Sequence, residues 1–159
     1  MIPEISGGMI RPMAEAAASR RKCALITGAS RGIGRGIALQ LAQDGMDIAI
    51  HYYQNESAAN ATLEQVRKRG ADGFLVRADV RKMDEVSGLF QTVRARFKTL
   101  DVFVANARPE AAEFFQPPMA ITLEQWDAAF ESQAKAFLIS AREASTMMSA
   151  GGRIVATAK

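Results

Sequence analysis

The run Cys23-Ala24-Leu25-Ile26-Thr27-Gly28-Ala29-Ser30-Arg31-Gly32-Ile33-Gly34 constrains this chain more than any other segment. It reads as a short apolar strand, a glycine-rich turn, and the opening of a stretch with helical apolar periodicity. That order is what a phosphate group needs. Gly28 can take backbone angles closed to residues with a Cβ, and Gly32 and Gly34 let the main chain and the helix start crowd against a ligand. A helix beginning near Ile33 points its free amides at a bound anion, a macrodipole contribution of roughly 0.3 to 1 kcal/mol, or about 2 when partly buried. The same glycines would also suit a plain tight turn from strand to helix. The βαβ rhythm that continues downstream supplies the context the phosphate reading requires.

Strand and helix patterns alternate from Cys23 onward with no internal repeat or low-complexity linker. This predicts an α/β fold, a Rossmann-like doubly wound parallel sheet of about five strands covered by about four helices. Strands are predicted near 23–27, 47–52, 73–77, 100–105 and 152–157, and helices near 33–44, 56–69, 84–98 and 122–149. Ile37, Ala38, Leu41 and Ala42 form an apolar face on the first helix, with Gly45 placed to cap its C-terminus. Val86, Leu89, Phe90, Val93 and Phe97 do the same on the third. The fourth opens with the capping-box pattern Thr122-Leu123-Glu124-Gln125 and carries Trp126, Phe130 and Phe137 at helical spacing, which assigns these aromatics to packing and not to a ligand stack.

The 159 residues suit one domain, here taken as 21–159, preceded by a flexible extension over 1–20. Residues 1–18 are expected to be disordered or to precede the true start, since Met9 and Met13 offer later initiation points. A formal charge of +3 is mild, and no basic run interleaved with aromatics suggests nucleic acid. The cluster Arg20-Arg21-Lys22 reads as a solvated lead-in to the first strand. No apolar stretch in residues 1–20 reaches the length of a secretory signal or a membrane span. The single cysteine, Cys23, falls where a buried strand residue belongs and fits a reducing cytoplasm.

The glycine spacing Thr27-Gly28-x-x-x-Gly32-x-Gly34, then Asp79-Val80 after the third strand, Leu100-Asp101-Val102-Phe103-Val104-Ala105-Asn106-Ala107, Trp126-Asp127, and Gly152-Arg153-Ile154-Val155, occur in one order from Lys22 onward. Together they resemble the short-chain dehydrogenase/reductase superfamily. The resemblance implies sheet order 3-2-1-4-5-6-7, an oxidoreductase activity and a nicotinamide cofactor held by Gly28, Ser30, Arg31, Gly32, Ile33, Gly34, Gln54, Asp79, Val80, Asn106 and Ala107. In that superfamily the Asp-Val pair meets the adenine, and the asparagine lines the cofactor while steadying its strand. A carboxylate capping its own turn at Asp79 and a turn-forming asparagine at Asn106 remain the simpler alternatives. His51, the only histidine, is expected to face a neighbouring helix and not to act as acid or base.

Cofactor choice turns on the end of the second strand, His51-Tyr52-Tyr53-Gln54-Asn55. No acidic residue stands there before Glu56 to bond the ribose hydroxyls of NAD and repel an added phosphate. Arg31 offers a guanidinium suited to the 2′-phosphate of NADP, unless it is simply an exposed loop charge. NADP is therefore the expected cofactor.

The superfamily's catalytic tyrosine and lysine are not in this sequence: its two tyrosines are Tyr52 and Tyr53. A serine common after the fifth strand falls at Ala158 or Lys159, and Gln133 stands where many members carry an asparagine that supports a proton-relay water. The chain therefore resembles the cofactor half of such an enzyme, truncated before its last strands and inactive alone. Ala105-Asn106-Ala107-Arg108-Pro109 departs from the usual Asn-Asn-Ala-Gly, a departure shared by members that reduce enoyl thioesters. Lys22-Cys23-Ala24-Leu25 and Ala134-Lys135-Ala136-Phe137-Leu138 match that branch as well. The resemblance thus implies an NADPH-dependent enoyl-acyl-carrier-protein reductase, cytoplasmic and homotetrameric, acting on a carrier-linked or small-molecule acyl substrate in fatty acid biosynthesis. A β-ketoacyl or other alcohol/ketone reductase, a non-catalytic NADP-binding module, and an interaction fragment that binds no nucleotide are the alternatives.

Overall fold

The computed structural model describes residues 20–108, 116–148 and 151–157. The expected extension up to residue 19, Pro109, and Ala158 and Lys159 lie outside the described residues. Five parallel strands, β1 (Cys23–Ile26), β2 (Asp47–Tyr52), β3 (Gly73–Arg77), β4 (Val102–Ala105) and β5 (Arg153–Ala156), form one sheet in the order β3-β2-β1-β4-β5. Helices α1 (Gly32–Gln43), α2 (Glu56–Lys68) and α3 (Met83–Phe97) connect the first four strands. The expected doubly wound α/β architecture is present.

Alternation along each strand divides the core into two layers. Ala24, Ile26, Ile48, Ile50 and Val104 point to the side covered by α1 and α2, where they pack with Ala38, Ala42, Ala59, Leu63 and Val66. Leu25, Ala49, Phe74, Val76 and Phe103 point the other way, onto Val86, Leu89, Phe90 and Val93 of α3. Phe90 meets Phe103 edge to face at 5.7 Å between ring centroids. With both faces covered, the central strands read as continuous apolar runs, and this is why they were visible in the sequence. The cap after α1 is also as expected. Gly45 takes φ +84° and donates to the Ala42 carbonyl, while the Met46 amide reaches Leu41.

Four expectations need correction. The predicted fourth helix over 122–149 ends at Ser145 and is not uniform: α4 (Leu123–Phe130) passes through a π turn over Glu131–Lys135 into α5 (Ala136–Ser145). Its capping box does form, with the Thr122 hydroxyl accepting from the Gln125 amide and the Gln125 side chain accepting from the Thr122 amide. Second, β4 starts at Val102 and not at residue 100. Leu100 is buried but gives its amide to the Met147 carbonyl beyond α5, so the strand ladder has not begun. Third, Trp126, Phe130 and Phe137 are 61%, 59% and 37% exposed; the helical spacing set them on one face, and no described residue covers it. Fourth, Arg20 and Arg21 are not merely solvated. Arg20 makes a two-pronged pair with Asp101 at 2.8 Å, and Arg21 bonds the Gly45 and Gly70 carbonyls, pinning the chain where it enters β1.

Candidate functional site

Parallel strands leave a crevice beyond their carboxyl ends where neighbouring connections diverge, and the turn after β1 opens onto it. Gly28 takes φ +66° and Gly32 φ +58°, both in the left-handed region that favours glycine. A Cβ on Gly28 would come within 2.9 Å of the Ala107 Cα, whereas beside Gly32 nothing lies within 4 Å. Gly28 is therefore fixed by protein packing, and Gly32 borders open space. Gly34 corrects its expected role: a Cβ there would collide with the Gly28 carbonyl and the Asn106 amide, so the close approach it permits is to protein and not to a ligand. Arg31 at the N-cap gives α1 no side-chain cap, and the helix's first turn holds no acidic residue, an opening suited to an anion.

A hydrogen-bond lattice holds this loop against β4 and β5. The Thr27 hydroxyl accepts from the amides of Asn106 at 2.9 Å and Ala107 at 3.0 Å and donates to the Val104 carbonyl. Asn106 in turn donates through Nδ2 to the carbonyls of Thr27 at 3.0 Å and Gly28 at 3.2 Å, and its Oδ1 accepts from the Thr157 hydroxyl. Asn106 thus joins three strand ends, far more than a turn-former requires. Thr27 and Thr157 were missed as parts of this lattice, because the groups they meet lie dozens of residues away in sequence.

His51 also departs from expectation. Both ring nitrogens are taken by loop backbone: buried near the end of β2, its Nδ1 accepts from the Gly28 amide at 3.0 Å and its Nε2 donates to the Ala78 carbonyl at 3.0 Å. Burial pushes its pKa down to about 4, so the ring is neutral at ordinary pH.

At the end of β3 the Asp79 carboxylate accepts the Arg81 backbone amide and is gripped by the Arg81 guanidinium, with Nη2 2.7 Å from Oδ2 and Nε 2.9 Å from Oδ1. That pairing holds the Asp79 pKa below the usual carboxylate value and raises that of Arg81. The Asp79 amide donates to Glu85, whose pKa is lowered by Lys82. Arg81 also lies 5.8 Å from the centroid of the Tyr53 ring, a cation–π arrangement. The turn-capping alternative for Asp79 is realised, and the carboxylate still faces the crevice. Arg81 was not picked out from the sequence, and Tyr53 was read there only as part of the β2 end.

These elements enclose a cleft of about 1120 Å³. Gly28, Ser30, Arg31, Gly32, Ile33, Gln54, Asp79, Val80, Asn106 and Ala107 all line it, together with His51, Tyr53, Arg81 and Ser132. Gly34 sits behind the loop, and Gln133 lines a smaller adjoining cleft of about 280 Å³ with Phe137, Ser140 and Thr157. The π turn brings Ser132 and Gln133 to these two clefts in succession. Arg108, where the sequence departs from the usual glycine, stands at the rim of the larger one. Both tyrosines line the end formed by β2 and β3. The arrangement can cradle an extended ligand with a phosphate at the α1 terminus and a ring beside Asp79. Among the described residues no helix is long and apolar enough to cross a membrane, and no cluster of His, Cys, Asp and Glu could hold a metal ion.

The short chain dehydrogenase family matches residues 22–158, and the chain belongs to that family. Among particular proteins, the chain is 39% identical to the 1-cyclohexenylcarbonyl-CoA reductase of Streptomyces collinus over 93% of its own length and 52% of the relative's. It is 36% identical to the 3-oxoacyl-acyl-carrier-protein reductase FabG of Staphylococcus aureus, covering 80% of this chain and 50% of that protein. A crystal structure of a short chain dehydrogenase from Burkholderia cenocepacia in complex with NADP superposes with a TM-score of 0.80 at 33% identity, covering 87% of this chain and 55% of that one. The chain spans about half the length of the curated relatives it matches.

Proposed function

We propose that this chain binds NADP and forms the cofactor-holding part of a reductase acting on an enoyl thioester. The observation that carries the cofactor assignment is the end of β2 in the cleft: the strand finishes in Tyr52-Tyr53-Gln54, with no carboxylate before Glu56, and Arg31 lines the same space. A carboxylate there would favour the ribose hydroxyls of NAD and repel a 2′-phosphate. The open side of Gly32 and the start of α1 receive the pyrophosphate, Asp79 and Val80 flank the adenine, and Asn106 and Ala107 border the nicotinamide half. The NADP complex of the Burkholderia cenocepacia relative supports the same reading. When bound, the reduced cofactor supplies a hydride.

Reduction of an enoyl thioester takes hydride at C3 and a proton at C2, with negative charge collecting on the thioester oxygen in between. Arg108 in place of the usual glycine, and kinship with a reductase named for a CoA thioester, support this substrate class. Kinship with a 3-oxoacyl reductase favours the second reading, reduction of a ketone. In either reaction no tyrosine of this chain reaches the oxyanion, since Tyr52 and Tyr53 line the adenosine end. Residues 1–159 alone are therefore expected to turn over neither substrate. Loss of one oxyanion donor typically costs on the order of 10² to 10³ in rate.

Titration with NADPH and NADH by nicotinamide fluorescence tests the cofactor assignment. Arg31→Ala should weaken NADPH selectively, by about 1 to 3 kcal/mol for a lost charged hydrogen bond. Equal weakening of both cofactors removes Arg31 from the specificity role. For the substrate, a protein continuing past Lys159 should oxidise NADPH faster with a crotonyl than with an acetoacetyl thioester; the reverse preference establishes the ketone reading.

A further inference from the structure

We propose that His51 is a positioning residue for the dinucleotide: its imidazole holds the Gly28 peptide in place, and cofactor affinity depends on that hydrogen bond. The inference rests on the NADP reading above. β1 ends at Ile26, and beyond it the Gly28 amide goes to the His51 ring and not to a main-chain carbonyl of β2, while the next amide, Ala29, donates to the His51 carbonyl at 2.9 Å. The His51 side chain accepts the Gly28 amide at 3.0 Å. A single residue of β2 therefore takes two consecutive amides of the phosphate loop, one through its main chain and one through its ring.

The peptide that carries the Gly28 amide is held at its other end too, where the Asn106 side-chain amide donates to the Thr27 carbonyl at 3.0 Å, and the next carbonyl, Gly28, accepts from the same group at 3.2 Å. These grips hold the loop in the arrangement in which Gly32 faces open space. The ring's other nitrogen is fixed as well. A backbone amide can only donate, so Nδ1 is the bare nitrogen, and Nε2 carries the proton given to the Ala78 carbonyl at 3.0 Å. Ala78 directly precedes Asp79, so the imidazole ties the phosphate loop to the β3 end where the adenine is proposed to lie. A half-buried amide left without its acceptor is costly, and the loop would relax to recover one.

Two variants separate the ring's two bonds. His51→Asn places an amide oxygen close to the position of Nδ1 and keeps an acceptor for Gly28, but is too short for Ala78. His51→Gln extends its amide toward the position of Nε2 and reaches Ala78, but leaves Gly28 without an acceptor. Calorimetric titration with NADP+ and hydrogen exchange at the Gly28 amide are the readouts, with continued protection of the β4 amides as the control for folding. His51→Asn should bind within about threefold of the unmodified protein, whereas His51→Gln should bind about tenfold or more weakly, with faster exchange at Gly28. Equal affinity and exchange for His51→Gln and the unmodified protein, or equal weakening by both variants, overturns the proposal. So does a ring proton found on Nδ1 by nitrogen-15 NMR of the unmodified protein, a measurement independent of any variant. If the unmodified protein fails to bind NADP+, the cofactor reading is what has failed, and Gly28 exchange in the two variants still decides whether His51 holds the loop.

Discussion

His51 is the only histidine in the sequence, so side-chain proton uptake on unfolding in the upper part of the acid range, between about pH 6.5 and 5.5, is assigned to one group, with Glu85 and Glu124, both lowered from 4.5, joining below that. Its folded pKa, near 4, lies below the unfolded value of 6.5, so in this window the unfolded chain binds the extra proton. Stability is then fully present above pH 6.5 and falls as the pH drops toward 4. Between pH 7 and 5 the expected loss is about 2 kcal/mol, read from urea midpoints at the two values. Asp79 and Asp101, whose pKa values are lowered from 3.8, lose their contributions only at more acid pH. His51→Asn should therefore flatten the slope between pH 7 and 5 while leaving the steeper acid limb. At this scale the sequence was legible where a residue's own geometry decides its role, as at Gly28 and Gly32. It was opaque for His51, Thr27 and Arg81, because their bonds go to backbone or charged groups whose proximity only the folded chain creates.

Elements were legible to the extent that side-chain periodicity reports them. Continuous apolar runs gave the strands within a residue or two, and the Gly45 cap and the Thr122–Gln125 box gave two helix ends. The π turn was hidden because one extra residue in a helical turn changes backbone pairing without breaking a run such as Ser132 to Leu138 that is favourable for helix throughout. The end of α3 carries a similar device. Lys98 takes φ +64° and ψ −41°, and the Thr99 amide donates to the Phe97 carbonyl at 2.7 Å, closing a γ-turn of the rarer hand. Its side chain is exposed, so only the Cβ conflicts with this backbone. Lys98→Gly should relieve part of a strain of roughly 1 to 3 kcal/mol, less the entropy glycine adds to the unfolded chain, for a net gain of about 1 kcal/mol in urea unfolding. Thr122→Ala should lower stability by about 1 kcal/mol through loss of the cap.

For the whole molecule, the distribution of exposed apolar side chains matters more than their number. Leu123, Trp126 and Phe130 on α4, with Phe137 and Leu138 on α5, are all exposed, as are Ile154 and Val155 of β5. Single exposed hydrophobics are ordinary, but large residues at helical spacing on one face make a contiguous patch of the kind that drives association. β5 adds the sheet edge beyond β4, with no described strand paired on its far side. The chain of 159 residues is therefore expected to self-associate at micromolar concentration, seen as a concentration-dependent mass in light scattering. Trp126→Lys combined with Phe130→Glu should shift it toward monomer without loss of NADP+ affinity, because neither side chain lines the cofactor cleft. A monodisperse monomer before any substitution would show that this face tolerates water. Loss of cofactor binding in the double variant would show instead that association orders the π turn whose Ser132 borders the cleft.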